Sequence, residues 1–173
     1  MKIKLLILCC AASVLIGSPL PAQTQQVTVS ATIASTLALT VNTNSVTFAF
    51  VAADYSATTG LAVKTNLAAT TFGVTSNTSW KLTVQPGGPA FTYTPTGTQT
   101  DPVKSANQLA VRTGAGAYLP LAPAASLTVV TGNRGGSGTT GNTVPVDYQM
   151  SSNLATDPPG TYLLTLTYTL ASQ

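Results

Sequence analysis

The sequence predicts an all-β protein, an antiparallel β-sandwich of immunoglobulin-like layout. Three observations carry that expectation. The first is Thr161-Tyr162-Leu163-Leu164-Thr165-Leu166-Thr167-Tyr168-Thr169-Leu170, in which positions 162, 164, 166, 168 and 170 are apolar or aromatic and 161, 165, 167 and 169 are all Thr. A period of two describes a strand with one face in a core and one in water. Only Leu163 breaks the alternation. The second is recurrence: about ten short segments of this kind follow one another, separated by turn residues at sandwich spacing. The third is composition. Thr makes up 31 of the 173 residues and Glu is absent. A β-branched side chain with a hydroxyl suits the wet face of a pleated sheet.

Taken in order, the chain opens with Met1-Lys2-Ile3-Lys4, an apolar run from Leu5 to Ile16, and Gly17-Ser18-Pro19-Leu20-Pro21-Ala22. This is the three-part layout of a secretory signal peptide over residues 1–22, with cleavage after Ala22. The run is too short to span about 30 Å of hydrocarbon. Cys9 and Cys10 leave with the leader; bulky Ile7 and Leu8 precede them, where a lipoprotein site has small residues. Residues 23–173 are then expected to form a single β-sandwich domain with no disulfide to staple it. Its 151 residues (173 minus 22) suffice for a core of its own.

The expected strands begin with Gln26 to Ile33, where Val27, Val29, Ala31 and Ile33 share a face, and continue with Leu37, Leu39 and Val41. Asn42-Thr43-Asn44 turns the chain into Val46 to Phe50. Leu61 to Thr65 and Thr71 to Ser76 come next, and Asn77-Thr78-Ser79 reads as a hairpin turn before Trp80 to Val84. Pro86-Gly87-Gly88-Pro89 stops that strand. Ala90 to Thr94, Leu109 to Thr113, Leu127 to Val130 and Val144 to Met150 follow, and Asp157-Pro158-Pro159-Gly160 turns into the final strand. Two loops stand out: polar Pro95 to Ala106, and Gly-rich Thr131 to Asn142. The latter lacks the Gly-Lys-Ser/Thr ending and following helix of a phosphate cradle, so a flexible connection is expected.

The chemistry is sparse. Without the leader, Lys64, Lys81, Lys104, Arg112 and Arg134 stand against Asp54, Asp101, Asp147 and Asp157, five charges minus four, a net of +1. Such a balance offers no basic patch for nucleic acid. With no His, Cys or Glu, the Ser-His-Asp and Cys-His arrangements and the common zinc sites are excluded. The four Asp are dispersed, which argues against a glycosidase pair and a calcium cage. No catalytic activity, cofactor or metal is expected. A Lys–Asn cross-link would need Lys64, Lys81 or Lys104 beside an Asn, with Asp147 assisting; solvated lysines are the expectation, because burying Lys is costly. Tyr55, Tyr93 and Tyr118 are the candidate stacking platforms if the domain were a carbohydrate-binding module.

Trp80-Lys81-Leu82, mid-chain, together with the Gly160-Thr161-Tyr162 opening of the final strand, resembles the WxL family of bacterial cell-surface domains. That family carries a second Trp-x-Leu near its C-terminus; here the matching position reads Tyr168-Thr169-Leu170. The resemblance spans most of residues 27–170 and implies non-covalent attachment to cell-wall polymer, with Trp80, Leu82, Tyr168 and Leu170 as the corresponding binding residues. From the residues alone, Trp80 reads first as a core tryptophan on a central strand. The chain is also similar to chaperone–usher pilin subunits and spore coat U proteins, in its Gly-Thr-Tyr final strand and its alternating segment from Val27 to Ile33. That likeness implies a strand that completes a neighbour's sheet. The expectation is an exported, non-catalytic protein of the cell surface, envelope or extracellular space, with no membrane span once the leader is removed. It would bind wall polymer or a surface protein. The alternative is a structural subunit of a surface fibre, a homo-oligomer.

Overall fold

The computed structural model describes residues 28–139 and 141–173; the leader lies outside the described residues. Thr28 to Ile33 belong to a separate unit from Ala34–Gln173. They carry no strand and are exposed throughout, Val29 at 88% and Ile33 at 84%. The strand expected from Gln26 to Ile33 is thus not formed over its described residues. Alternation supplies an apolar face, but a strand also needs a backbone partner.

The unit Ala34–Gln173 is all-β. Its strands are β1 (Leu37–Val41), β2 (Leu61–Ser76), β3 (Trp80–Pro86), β4 (Thr92–Pro95), β5 (Leu109–Thr113), β6 (Leu119–Pro120), β7 (Leu127–Gly132), β8 (Thr143–Asn153), β9 (Gly160–Leu163) and β10 (Leu166–Ser172). Two short 3-10 turns, Ala52–Asp54 and Ala106–Gln108, are its only helical pieces among the described residues. Every ladder is antiparallel. A five-stranded sheet runs β1-β2-β8-β5-β6, a three-stranded sheet β10-β3-β7, and β4 and β9 form a separate pair.

The core lies between the sheets. Phe72, Val74, Val111, Val144, Val146, Tyr148 and Met150 come from the larger sheet and Trp80, Leu82 and Val84 from the smaller. On β8 the alternation is complete: Val144, Val146, Tyr148, Met150 and Ser152 are buried and their neighbours are not. Each large apolar side chain so enclosed contributes about 1.5–3 kcal/mol. With no disulfide among the described residues, this burial carries the fold.

Several elements differ from expectation for local reasons. Leu61 to Thr65 and Thr71 to Ser76 belong to one long strand, β2, interrupted by a bulge between Asn66 and Thr70 against β8. Ala68 adopts φ 46° in that bulge, and its amide donates to Asp147 Oδ1 at 2.7 Å. The final strand is two. β9 pairs with β4 and β10 with β3, and Thr165 O accepts from Gly87 N at 2.8 Å where the chain changes partner. Tyr162, Leu164, Leu166, Tyr168 and Leu170 point inward across that corner, so side-chain periodicity carries no sign of it. Val46 to Phe50 has the burial of a strand, with Val46, Phe48 and Phe50 half-buried and Thr47 and Ala49 exposed, yet no ladder forms. Side chains hold it instead: Lys64 Nζ donates to Ala49 O at 2.5 Å and Asn66 Nδ2 to Thr47 O at 3.1 Å. The Gly-rich segment, expected to be a flexible connection, is tied at several points: Gly135 and Ser76 exchange both backbone bonds, Val74 N donates to Asn142 O at 2.8 Å, and Thr143 Oγ1 donates to Ser137 O at 2.6 Å.

Candidate functional site

The four residues matched by the WxL resemblance do come together. Within the β3–β10 ladder Leu170 faces Leu82, Tyr168 faces Val84 and Ser172 faces Trp80. They meet on the inner face. Trp80 and Leu82 are both at 0% exposure, and Tyr168 and Leu170 pack half-buried against the same core. Trp80 Nε1 donates to Asn133 O at 2.8 Å, which satisfies the one polar atom of the ring. Gly132 opposes Trp80 in the β3–β7 ladder, and a Cβ at Gly132 would sit 2.1 Å from Trp80 Cζ2. The indole therefore fills space that only a glycine leaves. Tyr168 Oη and Tyr148 Oη are 2.8 Å apart, Tyr148 Oη donates onward to Thr70 Oγ1 at 3.3 Å, and the rings of Tyr168 and Phe72 pack tilted with centroids 4.4 Å apart. Burial pushes the Tyr168 hydroxyl pKa well above the ordinary phenol range, with Tyr148 adding to the effect.

One flank of this core is covered less well. β10 pairs with β3 on one edge only, and β1 lies beside β10 without exchanging a ladder with it. Leu166, Tyr168 and Leu170 on β10 are half-buried, whereas Leu82 and Val84 on adjacent β3 are fully enclosed. Downstream of β1, the backbone amides of Val46 to Phe50 donate to no backbone carbonyl among the described residues. Two strand-like edges, 46–50 and β10, thus border the same core with unpaired main-chain groups. Such edges are templates for a further strand.

Among the described residues, three ion pairs engage six of the charged side chains. Arg112 Nε donates to Asp147 Oδ2 at 2.8 Å; the amide of Ala68 and this guanidinium hold the Asp147 carboxyl below the usual range. Lys64 Nζ lies 2.7 Å from Asp54 Oδ2, and the Lys64 hydrogen bond, helped by the Val51 amide, likewise holds Asp54 low. Lys104 contacts Asp157 Oδ2 with the two side chains only 2% and 8% exposed. Burial pushes the Asp157 pKa up, but hydrogen bonds from Lys104, the Asn153 amide and Ser152 outweigh it, so the carboxyl lies below the usual range. Lys104 is thus not the solvated lysine expected. Asp147, the acid considered for a Lys–Asn cross-link, serves Arg112 and the β2 bulge instead. No group of three His, Cys, Asp or Glu side chains that could hold a metal occurs among the described residues.

The three tyrosines considered as sugar platforms are engaged separately. Tyr55 packs against Phe50 with its hydroxyl 3.0 Å from Ser152 Oγ, Tyr93 against Tyr162, and Tyr118 under the Arg112 guanidinium at 4.3 Å. A Cβ on Gly160 would meet the Tyr93 ring at 2.4 Å, which is the local reason for glycine in Gly160-Thr161-Tyr162. No helix among the described residues is long and apolar enough to cross a membrane. Neither a model of a known protein family nor a curated protein matches this chain.

Proposed function

We propose that this is an exported, non-catalytic structural subunit of a surface fibre, assembled by adding a strand from one copy to the open flank of the next. The observation that carries this reading is the pair of unpaired edges, 46–50 and β10, along an incompletely covered core. A strand entering there gains main-chain hydrogen bonds for affinity and inner-face contacts for register. The occupant of matching chemistry is the N-terminal segment of a second copy. Val27, Val29, Ala31 and Ile33 alternate with polar residues in the sequence, and Val29 and Ile33 are exposed among the described residues.

The wall-polymer reading draws less support. It assigns binding to Trp80 and Leu82, whose side chains face the interior and offer no surface to a polymer. Sedimentation velocity of the mature chain over a concentration series tests the proposal. Polymers that grow with concentration, and that Ile33→Asp abolishes while the monomer stays folded, are expected. A strict monomer at every concentration would overturn it.

A further inference from the structure

The strongest unassigned chemistry lies away from the open flank, where the loop between β4 and β5 meets the turn between β8 and β9. Lys104 Nζ contacts Asp157 Oδ2 there, out of solvent, in a pocket bordered by Pro102, Gln108, Ser151 and Ser152. The Asp157 carboxylate is held on both oxygens: Oδ2 accepts from Ser152 Oγ and the Asn153 amide, each at 3.1 Å, and Oδ1 from Thr156 Oγ1 at 3.2 Å. Tyr55 Oη lies 3.0 Å behind Ser152 Oγ, and the Tyr162 ring covers the ammonium at 5.6 Å.

Both backbones are fixed. Phe91 N donates to Lys104 O at 2.8 Å, and Ala90 bridges Ser105. Asp157 N donates to Asn153 O at 2.8 Å. The backbone of each partner is therefore positioned by bonds other than the ion pair itself. Such positioning turns a bimolecular condensation into an intramolecular one. Burial acts in the same direction, because it penalises two separated charges and leaves a neutral amide untouched.

We infer that Lys104 and Asp157 are the two ends of an intramolecular amide cross-link. A proton passes from Nζ to Oδ2, leaving a neutral amine and acid. The Nζ lone pair attacks Cγ and forms the Cγ–Nζ bond. A second Nζ proton moves to Oδ2, the Cγ–Oδ2 bond breaks, and that oxygen departs as water, with Ser152 Oγ and the Asn153 amide holding it. Oδ1 remains as the amide oxygen on Thr156. One water is lost, with no oxidant or co-reactant. The bond needs to form only once, so a slow reaction suffices. It would join residues 53 positions apart, giving a cysteine-free fold the clamp that a disulfide supplies elsewhere.

Intact-mass spectrometry of the denatured full chain, with its N-terminus sequenced, tests this. The expected mass is one water below that of the sequence. Trypsin should fail to cut after Lys104, and a branched peptide should join Lys104 to Asp157. Lys104→Arg and Asp157→Ala should each restore the full sequence mass. If either variant fails to fold, the search for the wild-type branched peptide decides alone. Full sequence mass in the folded wild type, or a water loss that maps elsewhere, overturns the cross-link.

Discussion

Val84 and Tyr168 face each other across one ladder, yet Val84 is fully enclosed and Tyr168 only half so. The same contrast separates the two flanks of the core. On the β3–β8 side each strand has neighbours on both edges and the inner face is closed. Along 46–50 and along β10 the inward residues are only half-buried, and one edge of each lacks a ladder partner. Ladder bonds thus align a strand without sealing the core beneath it. The closed flank holds the fold together, and the open one is where the proposed partner strand would dock.

The largest effect should come from the closed flank. Trp80→Ala removes a fully enclosed indole and should cost about 3–5 kcal/mol in chemical denaturation, enough to unfold much of the population. Phe48→Ala on the open flank should cost about half as much in the monomer, since its ring is only half-buried. Equal costs would erase the distinction between the flanks. Gly132→Ala should lose about 1–3 kcal/mol, because the new methyl group collides with the Trp80 ring. Gly136→Ala, with nothing within 4 Å of its Cβ position, should change stability by less than about 0.5 kcal/mol.

Tyr168→Phe should be milder, about 1 kcal/mol, because Tyr148 keeps its bond to Thr70 when its partner hydroxyl is lost. Acid should act more gently still. Asp54 and Asp147 are held below the ordinary carboxylate range, so each contributes stability that is present above about pH 4 and is lost as pH falls through its folded value. Thermal melts from neutral pH downward should show Tm falling only below about pH 4. Asp147→Asn should flatten part of that fall. A cross-linked Asp157 would contribute nothing to it.

Much of the fold was legible because side-chain burial has a period of two. Trp80-Lys81-Leu82-Thr83-Val84 and Val144 to Met150 lie where their alternation puts them. Partner choice was less legible. Nothing in Tyr162 to Leu170 reports that the chain leaves β4 for β3 at Thr165, since the inward residues keep their rhythm across the corner. Val46 to Phe50 shows the converse, a strand's rhythm with no ladder. The site residues followed the same divide. Trp80, Leu82, Tyr168 and Leu170 were grouped by the WxL resemblance and share the β3–β10 ladder, but periodicity does not say whether a tryptophan faces the core or a ligand. The Lys104–Asp157 contact joins two loops that no local pattern links. Its one signal was the presence of Lys104 in a loop with few other charges.

Segment-resolved hydrogen exchange on the mature chain, at low and high concentration, tests the open flank most directly. The amides of 46–50 should exchange rapidly in the dilute monomer and become protected on assembly, together with residues 28–33 and the outer edge of β10. Equal protection at both concentrations, or slow exchange over 46–50 in the monomer, would contradict the account.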